Sequence, residues 1–308
     1  MIHIIIFSFN RALQLEALLS SIQCHWQKTN YKLSVLYNTS GDDFQKGYDI
    51  LQKEYPAYEF IKETRKTSGY HVSDYMTPYN LKKLLKYHHI RKQKSNFRDL
   101  LNNMLATSSC EYTMYLTDDS AFIRDVELSK NDLAFIEQNP DINQISLRLG
   151  KNITERPASI PVNNGKLEWD FHNHRDARSW GYNFSVDAHI YSTKLCLKLQ
   201  SKIIYANPTT LEANIVHYVM PRNLMDHGLT YEYPFILSFP INMVQEIADN
   251  ESMGISIEDL NNYYLEGKRL EYIVPDEILE FQQYPETVYL CKNGQKELLL
   301  SLIHISEP

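Results

Sequence analysis

The chain has 308 residues, 43% of them hydrophobic and 22% charged, which suits one large or two small domains with a real core. A formal net charge of −7 argues against a general nucleic-acid binder, so any basic surface must be local. The four cysteines (Cys24, Cys110, Cys196, Cys291) stand far apart with no CxxC spacing, which reads as reduced cytosolic thiols rather than a disulfide or zinc framework.

In chain order, MIHIIIFSF is too apolar for an edge strand and reads as a strand buried on both faces. It lacks the charged n-region of a signal peptide, and no later run approaches the ~20 apolar residues of a membrane helix. Asn10 is placed to cap the helix that follows, where Leu15, Leu18, Leu19, Ile22 and Trp26 recur at helical spacing. YKLSVLYNTSGDD is a second strand running into a turn, residues 44–55 a helix, and YEFIKE a third strand. This β-α-β-α-β order predicts a parallel sheet with right-handed crossovers and a ligand site beyond the C-terminal strand ends.

Residues 62–98 differ in composition, with ten Lys or Arg, only two acids (Glu63 and Asp74), and tyrosines interleaved. Three readings stand: a lid over a diphosphate, a surface for anionic lipid, or a solvated helix with Leu81, Leu84 and Leu85 inside. Phe97, Leu100, Leu101, Met104 and Leu105 form an apolar helical stripe, and the strand EYTMYLT then closes on Asp118 and Asp119. QISLRLG reads as a strand, residues 151–182 as loop, FSVDAHIYS as a strand, and NPTTLEANIVHYV as a turn opening a helix. FPINMVQ and SIEDLNNYYLEGKRL follow. The final nine residues, LSLIHISEP, match an in-frame translation of a transposase-adapter end from sequencing libraries. Fold reasoning therefore stops at Leu299, and the native C-terminus is expected to be missing.

Two adjacent carboxylates at a strand end suit a hard divalent cation, Mn²⁺ or Mg²⁺, shared with substrate phosphates. Taken alone the pair is equally at home in a solvated turn. Its place in the chain changes that. FSFNRALQLEALLSS, VLYNTSGDD and NFRDLLNNMLATSSCEYTMYLTDDS, followed by ISLRLGKNIT, SWGYNFSVDAHIY, NPTTLEANI and PINMVQ, resemble in order and spacing the GT-A-fold glycosyltransferases of the broad family 2 type, found in bacterial surface-polysaccharide assembly.

The resemblance covers most of residues 1–270 and implies an α/β GT-A (Rossmann-like) fold. A mostly parallel central sheet would be flanked by helices, with a mixed acceptor-side half. It implies one catalytic domain over 1–299, with a nucleotide-binding half at 1–120 and an acceptor half at 121–299. The implied activity is metal-assisted, inverting transfer of a sugar from a nucleoside-diphosphate donor to a glycan or lipid-linked acceptor. The implied setting is cytoplasmic, with room for peripheral contact at the inner face of a membrane. Where that family has D-x-D this chain has Thr117, Asp118 and Asp119. Asp119 is then the expected metal ligand, and Asp118 the residue for the ribose, the metal or its bound water.

For the donor, Ser8, Asn10 and Arg11 follow the first strand, and Tyr37, Asn38, Thr39 and Ser40 end the second. Tyr37 is placed to stack on the base. Arg98 and Asn102, one turn apart on the polar side of their helix, are placed to reach base or diphosphate. For the proton of the acceptor hydroxyl, Glu212 is the first candidate base and Asp187 the second. Glu212 also fits a capping box with Thr209. Trp169, Trp180 and Tyr182 read equally as a sugar platform or as core. His172 and His174 read as loop histidines, His217 could reach a metal, and Asn242 and Gln245 could bond donor or acceptor. Two other functions stay open. A sugar-1-phosphate nucleotidyltransferase would need a Gly-rich loop after the first strand, and FSFNRALQ has no glycine. A non-catalytic carbohydrate-binding protein is kept open by Thr117 in place of the first acid.

Overall fold

A computed structural model describes residues 1–64, 71–86, 94–242 and 254–301. Among these, eight strands form one mixed sheet in the order β3-β2-β1-β4-β8-β6-β9-β7. The strands are β1 (Ile2–Phe9), β2 (Tyr31–Asn38), β3 (Glu59–Lys62), β4 (Tyr112–Thr117), β6 (Asn143–Ser146), β7 (Lys166–Asp170), β8 (His189–Ser192) and β9 (His227–Tyr231). The first four run parallel. β8 is antiparallel to both β4 and β6, so β6 points the same way as β4. The N-terminal start of β8 therefore lies at the sheet edge where β1, β2, β4 and β6 end.

β1 lies between β2 and β4. Its period-2 alternation serves two cores. Ile4 and Ile6 face α1 (Ala12–His25) and α2 (Asp42–Glu54) on one side. Ile5 and Phe7 face α4 (Phe97–Ala106), α6 (Thr193–Gln200) and α7 (Pro208–Val219) on the other. The remaining helices are α3 (Pro78–Lys86), α5 (Lys130–Gln138) and α8 (Ile257–Leu265). α8 and α1 close on α2 at Gly47, where a Cβ would meet the Ala12 Cβ at 2.7 Å and the Asn261 Oδ1 at 3.1 Å. A short ladder pairs β5 (Ser120–Phe122) with β10 (Ile236–Ser238) just beyond Asp119. An antiparallel sheet of β11 (Arg269–Ile273), β12 (Thr287–Lys292) and β13 (Gln295–Ser301) packs Leu270, Val288 and Leu290 onto the α1 side. Leu300 and Ser301, assigned to the foreign tail, pair with Val288 and Thr287 in that sheet, and residues 302–308 lie outside the described residues.

Several local expectations change. Asn10 does not cap α1, since the cap position is Arg11, with no side-chain hydrogen bond. Asn10 instead adopts φ 57°, a left-handed turn that asparagine tolerates better than most residues. Glu212 takes no part in capping α7, because Asn207 and Thr210 form the reciprocal cap. Residues 151–182, read as loop, contain β7, whose Leu167 and Trp169 face the core while Glu168 is exposed. Within 71–86 only Leu84 of the three leucines is buried, and Leu81 and Leu85 are exposed.

Candidate active site at the sheet edge

The left-handed turn at Asn10 folds the chain back over the end of β1. There the Asn10 side chain and Ser40 bond reciprocally, Nδ2 to Ser40 Oγ and Ser40 N–H to Oδ1, each at 2.8 Å. This clamps the ends of β1 and β2 together. Asn38 adds its carbonyl, which accepts from the Asn10 N–H at 3.3 Å, and its Oδ1, which accepts from the Thr39 N–H at 2.8 Å.

The same turn aims three donors at Asp118. Its Oδ2 accepts from Ser8 Oγ at 2.8 Å and the Phe9 N–H at 3.1 Å, and its Oδ1 from Arg11 Nη1 at 3.1 Å. The same Nη1 donates to Asp119 Oδ2 at 3.1 Å, so one guanidinium offsets both like charges. Arg11 Nη2 donates to the Asn242 carbonyl at 2.6 Å, and Gln14 Nε2 to Asn242 Oδ1 at 2.9 Å. Burial opposes the Arg11 charge, but the two aspartates outweigh it and hold the guanidinium protonated. Burial, reinforced by Asp119 and opposed by Arg11, pushes Asp118 up to about 6, which leaves it ionised at pH 7.

Beside this pair stands a second acid cluster. Thr117 Oγ1 donates to Asp187 Oδ1 at 2.8 Å, and Arg148 Nη1 donates to Asp187 Oδ2 at 2.9 Å and to Ser185 Oγ at 3.0 Å. Glu212 comes in from α7, its Oε1 accepting the Val186 N–H at 3.0 Å. Burial and then Asp187 push Glu212 up to about 7, against the pull of that N–H and Arg148. Asp187 also lies above the usual range, raised by burial and Asp119 and lowered by Arg148. Paired carboxylates whose surroundings differ in this way are what acid–base chemistry uses. Ala188, next to Asp187, sits at φ 55°, a strained value for a residue with a Cβ.

The structure thus brings Ser8, Asn10, Arg11, Asn38, Ser40, Asp118, Asp119, Asp187 and Glu212 to one edge of the sheet. It turns other candidates elsewhere. The Arg98 guanidinium is buried and donates to Asp74 Oδ2 at 2.7 Å and the Ser201 carbonyl at 3.2 Å. Asn102 Oδ1 accepts from the Tyr205 hydroxyl at 3.2 Å. Tyr37 is buried with its ring stacked on Tyr48 at 4.3 Å between centroids, so that face cannot take a base. Trp169 and Trp180 are buried against each other in the core, while Tyr182 is half-buried beside Glu212 and Arg148. His172 Nδ1 pairs with Asp226, and His217 Nδ1 bonds the Ala213 carbonyl in its own helix. Gln245 lies outside the described residues.

Arg148 is the residue that the sequence reading missed. A single cation in the apolar alternation of QISLRLG needs a buried counter-charge, and that was its signal. Phe281 covers it, with the guanidinium carbon 3.7 Å from the ring centroid.

For a divalent ion the donor set fits in one way. Both Asp118 oxygens are committed to the β1 turn. Asp119 keeps a quarter of its side chain exposed, and among the described residues its Oδ1 is not engaged. No group of three or more potential ligands occurs among the described residues. A single carboxylate suits Mg²⁺ or Mn²⁺ when water and substrate phosphates complete the shell.

No family model matches the chain. It is 23% identical over 319 aligned positions to the "Bifunctional glycosyltransferase pgtA" of Dictyostelium discoideum, a match covering 87% of this chain and 36% of that protein. The chain therefore spans about a third of the length of the curated relative. Among solved structures, S. aureus TarS 1–349 in complex with UDP aligns over 76% of this chain and 59% of its own, at 16% identity and TM-score 0.45. The mannosyltransferase PcManGT from Pyrobaculum calidifontis, with GDP-Man and Mn²⁺, aligns over 49% and 36%, at 14% identity and TM-score 0.29. Likeness at these scores carries nothing about substrate or mechanism.

Proposed function

We propose that the chain is a glycosyltransferase that moves a sugar from a nucleoside-diphosphate donor to an acceptor hydroxyl, with inversion. The observation that carries this reading is the adjacency of two clusters at one sheet edge. Arg11, Asp118 and Asp119 form a cationic and acidic site suited to a diphosphate, and Asp187, Arg148 and Glu212 form a proton-handling site beside it. Similarity over most of the chain to a glycosyltransferase supports it.

In this reading the Asn10 turn and Asp118 hold Arg11 in place, and Asn38, Thr39 and Ser40 border the nucleotide. Glu212, as carboxylate, takes the proton from the acceptor oxygen as that oxygen attacks the anomeric carbon. Arg148 and Thr117 aim Asp187 and favour its charged form, and burial together with that neighbouring acid raises Glu212 into the range of a base at neutral pH. A bound Mn²⁺ or Mg²⁺, held by Asp119, would neutralise the leaving diphosphate. A second reading rests on Arg11, which already bridges both aspartates and could supply that positive charge without metal. No helix among the described residues is long and apolar enough to cross a membrane. For the membrane contact we assign the exposed Val72 and Met76 together with the exposed Lys82, Leu85 and Lys86 of α3.

The test is a thermal-shift screen of UDP-, GDP-, CMP- and dTDP-sugars with Mn²⁺ and with EDTA, since a donor that binds the native state raises the melting temperature by mass action. One donor class should stabilise the chain. Stabilisation only with Mn²⁺ supports the metal-assisted form, equal stabilisation in EDTA supports Arg11 alone, and no shift with any donor removes the transferase reading.

A further inference from the structure

A cavity of about 710 Å³ opens next to the Asp187–Arg148–Glu212 cluster, within the size range of small-molecule sites. One wall is the 178–182 turn, with Arg178, Ser179 and Tyr182. The other is the segment 280–284, with Glu280, Phe281, Gln282, Gln283 and Tyr284. That segment is strapped to the body on two sides. The Ser238 N–H donates to the Phe281 carbonyl at 3.0 Å, and the Gln283 N–H to the Ser238 carbonyl at 3.1 Å. Just before it, the Thr154 N–H donates to the Leu279 carbonyl at 2.9 Å. Phe281 borders both the cavity and the catalytic cluster, since it lines the one and covers Arg148 in the other. Tyr182 belongs to both, feeling the charges of Glu212, Arg148 and Asp187 while lining the cavity.

The lining has a definite chemistry. Tyr182, Phe281 and Tyr284 give ring faces, whose negative π-surface suits the weakly positive C–H faces of a pyranose. Gln282, Gln283 and Ser179 give neutral donors and acceptors. The charges are unbalanced. Arg178 Nη1 pairs with Glu155 Oε1 at 2.5 Å, and among the described residues Glu280 has no ion pair. Burial and then Glu155 push the Glu280 carboxyl up, against the pull of Arg178. Among the described residues Glu155 Oε2 is buried with no hydrogen-bond partner, an acceptor that a ligand hydroxyl or amine would satisfy. A phosphate or carboxylate entering here would meet like charge, which costs more than its hydrogen bonds return.

We infer that this cavity is the acceptor site and that it takes a sugar residue without acidic groups, and rejects phosphorylated or uronic-acid acceptors. The inference rests on the transferase reading for the word acceptor, but the binding chemistry stands apart from it. The experiment is saturation-transfer NMR on the full chain with methyl glycosides of neutral hexoses and of 2-acetamido and 2-amino sugars, beside glucuronate and glucose 6-phosphate. Donor thermal shift is measured in parallel. At least one uncharged or amino glycoside should bind and the two anions should not. Glu280→Gln should weaken that glycoside by about tenfold, the worth of a charge-assisted hydrogen bond, and Glu280→Lys should lose it and admit glucose 6-phosphate. Both variants should keep the donor shift. Binding of the anions by the unaltered chain, no glycoside binding at all, or binding indifferent to both variants overturns the inference. Glycoside binding without any donor shift would instead remove the transferase reading and leave the site.

Discussion

Glu212 is the residue where protonation, stability and rate meet. Its folded-state pKa of about 7 lies above its ordinary 4.5. The protonated form therefore favours folding fully below pH 4.5, and that contribution is lost as pH rises through about 7. Glu212→Gln removes the loss. Chemical denaturation should show the variant close to the parent at pH 4 and more stable by about 3 kcal/mol at pH 8. Donor binding should survive while transfer falls by roughly 10²–10⁴-fold, and the parent's transfer rate should climb with pH around a midpoint near 7. Transfer persisting in the variant moves the base to Asp187. Asp119 gives a separable result. It is partly exposed and carries one bond to Arg11, so Asp119→Ala should keep the melting temperature within a few degrees and abolish the Mn²⁺-dependent donor shift. A retained shift means another group holds the ion.

At the scale of elements, the turn after β1 does more than connect. Asn10→Ala loses both bonds to Ser40 and puts a Cβ without compensation at φ 57°. Urea unfolding should show a loss of about 2–3 kcal/mol, against about 1 kcal/mol for Asn10→Gly, which keeps the dihedral. Equal losses would mean that the bonds alone matter. This turn also shows what was legible in advance. The strands β1, β2 and β4 and the helices between them declared themselves because each is an apolar or periodic run, and the strand-end rule then pointed to the edge where the candidate residues gather. The left-handed turn did not, because a cap and a turn use the same asparagine. Likewise β6 stops at Ser146, as Leu147 and Arg148 leave the ladder to bring the cation inward, so its alternation overran its end. β7 and β9 are short, and their identity comes from partners distant in the chain. Arg98 and Tyr37 were placed correctly on their elements but on faces that other residues claim, Asp74 in one case and Tyr48 in the other.

At the scale of the molecule, residues 1–120 and 121–299, which we propose as nucleotide-binding and acceptor halves, share one sheet. β4 pairs with β1 on one edge and β8 on the other. Ile190 and Leu229 pack in the same cluster as Ile4 and Leu116, and Tyr191 and Leu195 in that of Ile5 and Tyr115. A fragment of residues 1–120 would expose the β4 edge and half of both cores. It should show no cooperative thermal transition and should aggregate. A cooperative melt would mean that the first half is a domain by itself.

The bond from Arg11 to the Asn242 carbonyl spans 231 residues of chain. At ribosomal speeds that distance takes on the order of 10–50 s to synthesise. Over that interval β1, β2 and β4 can pair, and Asp118 can meet Arg11, but the guanidinium lacks its last partner. The Arg11 cluster, the proposed diphosphate end of the site, is thus finished only after β6, β8 and β9 have been made. Donor-binding competence in a nascent chain should appear late and in one step, as a timestamp on the completion of the acceptor side.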